Sequence, residues 1–392
     1  MKKEKTVEIL QNDILIPDIV QQEADFVFEQ IKRENGGKVM AYSGTKMRRS
    51  MWGAVAAAVL VLGTVVCAAY MHWSRGMEEK FNVTQEQKEF LEDNEIAKPM
   101  NNSVTQEGVT VTVQQSIVDN RFAHLSFRVE GYQVREGSTL QPDFENVNVT
   151  VDGGDCGMIT SGFFNNWHIT DDERVYADDG SDIKERSDGS LIERYMNEDG
   201  SMEYIISIMT DSKDHGLIGK SIHIELHNLG TFVRYSDAYR KDIDAVWSFD
   251  FTLEGSSQVR SLELSQTLGD SGASVAKAEI SPISLYVEYS FPMQEIEIDG
   301  VDQNGSVVKS ATFANAPQLT GVRLKDGTLL TNITNGGSEG YEDGNDTYVV
   351  YCGTNCVIDP AEVDALLFIK SYPESQEEAN NIPEDKLYIV SF

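Results

Sequence analysis

The stretch Met51–Met71 reads MWGAVAAAVLVLGTVVCAAYM and contains no charged side chain. In a helix, about 20 apolar residues at about 1.5 Å each cross a hydrocarbon core of about 30 Å. Uncharged helices of this length are rare in water-soluble proteins, and Trp52 and Tyr70 lie where aromatic residues meet the membrane interface. The sequence therefore predicts one transmembrane helix at residues 51–71, with membrane lipid around it.

The position of this stretch argues against a cleaved signal peptide. Residues 1–50 precede it, and its apolar run exceeds the ~7–15 residues of a signal-peptide core. Lys46, Arg48 and Arg49 come directly before the span, whereas no positive excess follows it. By the positive-inside rule, we expect a single-pass protein of the cell membrane with a cytosolic N-terminus and an extracellular C-terminal region.

The two sides of the predicted span differ in charge. Residues 1–50 hold nine basic and eight acidic side chains, whereas residues 73–392 hold 23 basic and 56 acidic ones. A net charge of −33 repels phosphate backbones, and the chain has no Lys/Arg cluster that would release counterions from a nucleic acid. We therefore expect no nucleic acid among its partners.

An amphipathic helix is predicted in the cytosolic tail. Apolar side chains recur there at steps of three and four residues, which places them on one helix face: Ile16, Val20, Ala24, Val27 and Ile31. A lone helix of about 15 residues is marginal in water, so this face needs a surface to pack on. We expect these five residues to bind a partner protein. The alternative is a partly ordered tail that only carries topogenic charge.

Beyond the span, the apolar pattern changes to a period of two. Val109, Val111 and Val113 alternate with polar residues, and similar alternation recurs as far as Leu387 and Ile389. Short strands separated by Gly, Asn and Asp turns are typical of antiparallel sandwiches rather than of a parallel α/β sheet. The predicted fold class is mainly β, with an extracellular pair of antiparallel β-sandwich (Ig-like) domains.

These patterns divide the chain into five predicted regions. Thr84 as N-cap and Gln87 at N3 form a capping box that starts a helix after the span, and Glu254–Gln258 (EGSSQ) is a plausible linker. The regions are 1–50, a cytosolic tail with its amphipathic helix; 51–71, the transmembrane helix; 72–104, a juxtamembrane helical spacer; 105–256, the first extracellular β-domain; and 257–392, the second.

The chain has no familiar catalytic signature, and we expect neither an enzyme nor a cofactor. It lacks a Gly-x-Ser-x-Gly elbow, a P-loop and a dinucleotide fingerprint. His223, Glu225 and His227 share one strand face, but this is not the His-Glu-x-x-His of metalloproteases, so a solvent face without zinc is expected. The acidic runs Asp152–Asp155 and Asp178–Asp182 suit turns better than a calcium loop. No metal site is predicted.

The cysteines leave one pairing open. Cys67 lies in the apolar run, so Cys156, Cys352 and Cys356 remain as an odd three. Cys352 and Cys356 either form one small bridge in an exported domain or stay as buried free thiols.

Several passages resemble an uncharacterised family of Gram-positive single-pass membrane proteins, a domain of unknown function that is often encoded beside extracytoplasmic-function sigma factors. Besides the span, these passages are Ile16–Glu23 (IPDIVQQE), Phe90–Ile96 (FLEDNEI), Gly108–Gln114 (GVTVTVQ) and Leu125–Phe127 (LSF). Ile280–Tyr286 (ISPISLY) resembles a second β-domain common in that family. Similar proteins are thought to be anti-sigma factors.

The resemblance implies a role in signal transduction and transcription regulation. The cytosolic helix would bind a sigma factor, and the extracellular β-domains would sense an envelope signal through an unidentified ligand or envelope component. The rival interpretation is a membrane-anchored extracellular binding or adhesion protein whose tail has no regulatory function. A surface hydrolase is a third class, because carboxylate pairs for glycoside chemistry leave no sequence signature.

Overall fold

The described part of the chain is mainly β. The computed structural model describes residues 73–132, 141–165, 167–169, 175–177, 195–197, 199–210, 216–232, 238–301, 307–342, 346–373, 378 and 382–392. The predicted span at 51–71 and the predicted tail helix with Ile16, Val20, Ala24, Val27 and Ile31 lie outside these residues. Within the described ranges, the helices are too short or too polar to cross a membrane.

In the described residues from 73 onward, two short helices precede the first group of strands. They are α1 at Arg75–Phe81 and α2 at Gln85–Asp93. The strands are β1 Ala97–Gln106, β2 Val109–Val118, β3 Phe122–Glu130, β4 Gln141–Val151, β5 Met158–Phe163, β6 Trp167–Ile169, β7 Val175–Ala177, β8 Met202–Met209, β9 Ser221–Phe232 and β10 Tyr239–Thr252. They form antiparallel sheets in the orders β1-β2-β3-β8-β5, β10-β9-β4 and β6-β7.

The five-stranded and three-stranded sheets of this first half share one hydrophobic core. Val109, Val111 and Val113 point into it from β2, in agreement with the alternation of the sequence. Trp247 of β10 is fully buried there, and its Nε1 donates a hydrogen bond to the backbone carbonyl of Val109 at 3.1 Å. The one polar atom of this large ring is therefore satisfied in the core.

The second half contains the remaining strands. They are β11 Arg260–Thr267, β12 Ser274–Ile280, β13 Ser284–Ser290, β14 Glu295–Val301, β15 Val307–Phe313, β16 Leu319–Leu324, β17 Leu329–Leu330, β18 Thr334–Tyr341, β19 Thr347–Thr354, β20 Val363–Ile369 and β21 Leu387–Ser391, with a 3-10 turn at Glu384–Lys386. The sheets have the orders β11-β12-β13-β19-β18, β17-β16-β20-β21 and β14-β15. Val287 and Tyr289 of β13 pack with Leu366 and Phe368 of β20 in a second core.

The mainly β class and the antiparallel sheets are confirmed. The predicted capping box is also present, because Gln87 N donates to Thr84 Oγ1 at 3.3 Å and Thr84 N donates to Gln87 Oε1 at 2.9 Å. Residues 253–259, around the predicted linker, contain no strand. Strand β1 spans the boundary predicted at 104/105. The five-region division itself stays a prediction.

Candidate functional site

A third hydrophobic core joins the two halves, and both helices contribute to it. Trp73, Met77 and Phe81 recur at steps of four residues and are buried along one side of the α1 segment. The other fully or nearly fully buried members come from α2 and from both halves: Leu91, Ile96, Ala97, Ile117, Phe122, Met209, Ile283, Tyr286, Val349, Tyr351 and Val357. The helical part of the predicted spacer is therefore packed into the body of the protein.

The start of α1 is held by a polar part of the first sheet. Ser74 N donates to Gln115 Oε1 at 3.0 Å, and Gly76 N donates to Glu203 Oε2 at 3.0 Å. The other carboxylate oxygen of Glu203 accepts a hydrogen bond from Ser126 Oγ at 2.8 Å. Glu203 is only 3% exposed, and a buried carboxylate is costly unless its oxygens are satisfied. Here the first turn of a helix supplies one of its partners, where the helix dipole favours negative charge.

Gly76 allows this close approach. A Cβ at this position would lie 2.5 Å from Ile205 Cδ1 and 2.8 Å from Glu203 Oε1. Both distances are below van der Waals contact, so a larger residue requires the side chains of Ile205 and Glu203, or α1 itself, to shift.

His124 lies beneath the end of α1 and is 3% exposed. Its Nδ1 is 2.8 Å from Ser207 Oγ, while its Nε2 is buried and has no partner among the described residues. The ring packs against Phe81 with centroids 5.1 Å apart and against Phe122 at 6.1 Å. Burial lowers the pKa of His124 well below its ordinary value, and the charge of Lys80 lowers this pKa further. The imidazole is therefore neutral while α1 is in place. We call Gln115, His124, Ser126, Glu203 and Ser207 the docking patch.

A polar cleft of about 720 Å³ opens beside α1. This volume is within the range of small-molecule sites, roughly 300–1,000 Å³. On one wall Arg128 makes ion pairs with Asp199 at 2.7 Å and with Glu130 at 3.1 Å. The lining residues come from the α1 segment and the first half: Trp73, Ser74, Arg75, Glu78, Gln114, Arg128, Asn197, Asp199 and Glu203. An occupant of this cleft would contact the helix and the sheet together.

One buried carboxylate ties the two halves to each other. Asp119 Oδ1 accepts hydrogen bonds from Arg121 N at 2.8 Å and Phe122 N at 2.7 Å, which holds the turn between β2 and β3. Its Oδ2 accepts from the hydroxyl groups of Ser281 and Ser284 in the second half. Because Asp119 is 1% exposed, both halves satisfy a charge that water cannot reach.

Arg121 makes a second tie. Its Nη2 lies 2.8 Å from Glu279 Oε2, and its guanidinium group stacks over the rings of Tyr286 at 4.2 Å and Tyr351 at 5.0 Å. Cation–π contacts strengthen when they are shielded from solvent, as this arginine is. The ties of Asp119 and Arg121 fix the second half against the turn that follows β2.

A partly buried carboxyl group, that of Asp143, lies in the first half, away from α1. Asp143 Oδ1 accepts hydrogen bonds from Tyr204 OH at 3.0 Å and Phe144 N at 2.8 Å, and Tyr239 OH donates to its backbone carbonyl at 3.1 Å. Burial raises the pKa of Asp143 to about 6, because the surroundings disfavour its charged form.

The strand face that carries His223, Glu225 and His227 is half-exposed, opposite buried residues of β9. His223 Nδ1 lies 2.8 Å from Asp250 Oδ1, and His227 Nε2 lies 3.0 Å from Glu225 Oε2. The hydrogen bond with Asp250 raises the pKa of His223. Within the described ranges, no group of three or more His, Cys, Asp or Glu side chains is arranged to hold a metal ion.

The remaining sequence candidates are the acidic runs and the cysteines. Asp152 pairs with Lys220 Nζ at 2.7 Å in a turn, and Asp178–Asp182 lies outside the described residues. Cys156, Cys352 and Cys356 are free thiols, and burial raises the pKa of the latter two to about 12 and about 11.

Sequence reasoning missed α1 and the docking patch. The steps of four from Trp73 to Phe81 were available as a signal for a buried helix face. Glu203 gave no such signal, because a polar residue that alternates with buried ones in a strand is typical of a solvent face. Its partner Gly76 is 127 positions away in sequence, so the contact depends on tertiary structure.

Comparisons with known proteins give a partial match. Residues 45–131 match a family model described as a domain of unknown function (DUF4179), a range that includes the predicted span, both helices and β1 to β3. No curated protein matches the chain. Among solved structures, the chain is similar to the conserved domain protein from Bacillus anthracis, with 12% identity and a TM-score of 0.36 over 76% of this chain and 91% of the other. The family-model match over residues 45–131 supports the resemblance to an uncharacterised family.

Proposed function

We propose that this chain is a membrane-anchored regulator of the anti-sigma type, in which the β-rich region senses an envelope signal and the cytosolic helix binds a sigma factor. The observation that supports this proposal best is the burial of α1 in the junction of the two halves. Helix α1 begins at Arg75, shortly after the predicted span ends at Met71. An anchor without a signalling role needs only a flexible tether, which requires no packing. A buried helix at this position instead couples the packing of the β-rich region to the end of the span.

The cleft beside α1 provides a way for a ligand to act on that coupling. Arg75 and Glu78 line it from α1, whereas Arg128 and Asp199 line it from the first half. A ligand shifts an equilibrium only by its difference in affinity between two states. A ligand that contacts both walls of the cleft binds more tightly when α1 is docked, since it loses its contacts with the helix when α1 moves away. Ligand binding would therefore stabilise the docked helix.

The proposed binding of a partner by the cytosolic tail depends on the apolar face of the predicted tail helix. Ile16, Val20, Ala24, Val27 and Ile31 have the spacing with which an amphipathic helix enters a groove of its partner. We propose a sigma factor as that partner because of the family resemblance. These residues precede the matched range, so the matched family model does not include them.

Co-purification of the tagged full-length protein from its own cells in mild detergent tests this proposal. We expect mass spectrometry to identify a sigma factor, and we expect at least a tenfold loss of it in Val20→Asp and Val27→Asp, because a charge would be buried in the interface. Gln22→Asp adds the same charge on the opposite helix face and should retain the partner. Recovery of envelope components alone, unaffected by these substitutions, would contradict the proposal.

The second candidate is an anchored extracellular binding or adhesion protein. The cleft beside α1 favours this candidate, because a polar site that binds an extracellular ligand can act without a cytosolic partner. Deletion of residues 1–45 keeps Lys46, Arg48 and Arg49 and therefore the predicted topology. Adhesion would survive this deletion, whereas regulation would be lost.

A further inference from the structure

The contact between α1 and the first sheet is unusually polar. Surface helices normally bury an apolar stripe, and α1 does so with Met77 and Phe81. Beside these apolar contacts, its N-cap Ser74 donates a hydrogen bond to Gln115, and Gly76 in its first turn donates one to Glu203. Gln115 Nε2 and His124 Nε2 are both buried without a hydrogen-bond partner in the described part of the chain. Each nitrogen would gain a hydrogen bond to water if α1 moved away, so the docked arrangement carries a cost that its release removes.

The groups around His124 make a positive charge unfavourable there. Helix α1 contributes the Phe81 ring and the charge of Lys80, and burial lowers the pKa of Lys80 as well. Strand β8 contributes Ser207 and, farther along the same face, Glu203. The carboxylate of Glu203 already accepts hydrogen bonds from Gly76 and Ser126, and no acceptor reaches His124 Nε2 among the described residues.

We propose that α1 is a latch that opens in acid, because protonation of His124 releases the helix Arg75–Phe81 from the docking patch. A protonated His124 would carry a buried N–H without an acceptor, between two aromatic rings and close to Lys80. Release of α1 hydrates Gln115 Nε2 and His124 Nε2. It also separates the positive charge of His124 from that of Lys80. The latch involves only described residues, and the proposal does not depend on which partner the tail binds.

The direction of the pH effect follows from the two states of His124. In the docked state its pKa is far below the ordinary value, whereas a hydrated histidine titrates near about 6.5. The docked state is therefore favoured above about pH 6.5 and loses stability as the pH falls below this value. The equilibrium constant for release of α1, here called the release constant, then rises about tenfold per pH unit. Between pH 7.5 and 5.5, the release constant is expected to rise about tenfold.

Hydrogen–deuterium exchange of the full-length protein in detergent tests the latch. Peptides over residues 75–81 are followed at pH 7.5, 6.5 and 5.5, corrected for intrinsic exchange rates and compared with strand β20, which contains no histidine. We expect about a tenfold loss of protection in α1 between pH 7.5 and 5.5, with β20 unchanged. In His124→Gln the response should vanish, because glutamine stays neutral and still bonds Ser207. The control His223→Gln removes a half-exposed histidine of the other sheet and should respond like the wild type.

Two results would overturn the latch. One is equal protection of residues 75–81 at pH 7.5 and 5.5 in the wild type, and the other is an unchanged pH response in His124→Gln. Gly76→Ala provides a test independent of His124, since its Cβ would meet Ile205 and Glu203. We expect this variant to be less protected than the wild type over residues 75–81 at every pH, because Ile205 and Glu203 must shift to admit the Cβ. Wild-type protection in it would show that close packing at Gly76 does not hold the helix.

Discussion

At the scale of single residues, two ionisable groups with shifted pKa values predict a pH dependence for this protein. Asp143 is partly buried and His124 is buried, and their effects are opposite in direction. Burial raises the pKa of the carboxyl group and lowers the pKa of the imidazole, because each environment favours the neutral form. Acid is therefore expected to stabilise the surroundings of Asp143 and to loosen those of His124. Both residues lie in strands whose sequence gives no sign of a titrating group, since burial of a polar side chain depends on what covers it.

The contribution of Asp143 to stability can be measured directly. Its folded pKa of about 6 lies above its ordinary value of 3.8, so folding is favoured increasingly as the pH falls through 6 toward 4. We predict that Asp143→Asn is more stable than the wild type at pH 7.5, and that this advantage shrinks by about 1 kcal/mol at pH 5. Urea unfolding at both pH values measures the difference. Asp155→Asn, at an exposed position, should leave the pH dependence unchanged.

At the scale of elements, local signals predicted those features that depend on local chemistry. The alternation in β2 and β9 predicted strands with buried valine and isoleucine, and Thr84 with Gln87 predicted the start of α2. Both signals depend on neighbours within a few residues. Helix α1 is only seven residues long, and its N-cap Ser74 was not recognised from the sequence. Short helices take most of their stability from packing, which the sequence does not reveal.

The capping box predicts a measurable contribution of α2. Thr84→Ala removes the acceptor of the Gln87 N–H, and the expected cost is about 1 kcal/mol of unfolding free energy. Thr160→Ala replaces an exposed threonine of the edge strand β5 and should cost less than about 0.5 kcal/mol. Equal effects of the two substitutions in chemical denaturation would show that the cap adds nothing to the stability of the folded protein.

At the scale of the whole molecule, the two halves and the helices form a junction that no local pattern predicts. Asp119 and Arg121 reach across to Ser281, Ser284 and Glu279, positions far away in sequence. The sequence predicted a linker near Glu254–Gln258 and thus two β-rich parts, but it did not indicate that α1 contributes to the core that joins them. The proposed function depends on this junction, because a signal on either half would have to reach α1 through the packed side chains of the shared core.

The central claim is that the docking of α1 controls what the cytosolic tail binds. The most direct measurement is the amount of sigma factor that co-purifies with full-length Gly76→Ala, relative to the wild type and to Gly162→Ala. A Cβ at Gly76 would collide with Ile205 and Glu203, whereas a Cβ at Gly162 would meet no atom within 4 Å. We predict that Gly76→Ala changes the recovered sigma factor several-fold while Gly162→Ala matches the wild type. Equal recovery from all three proteins would contradict the claim.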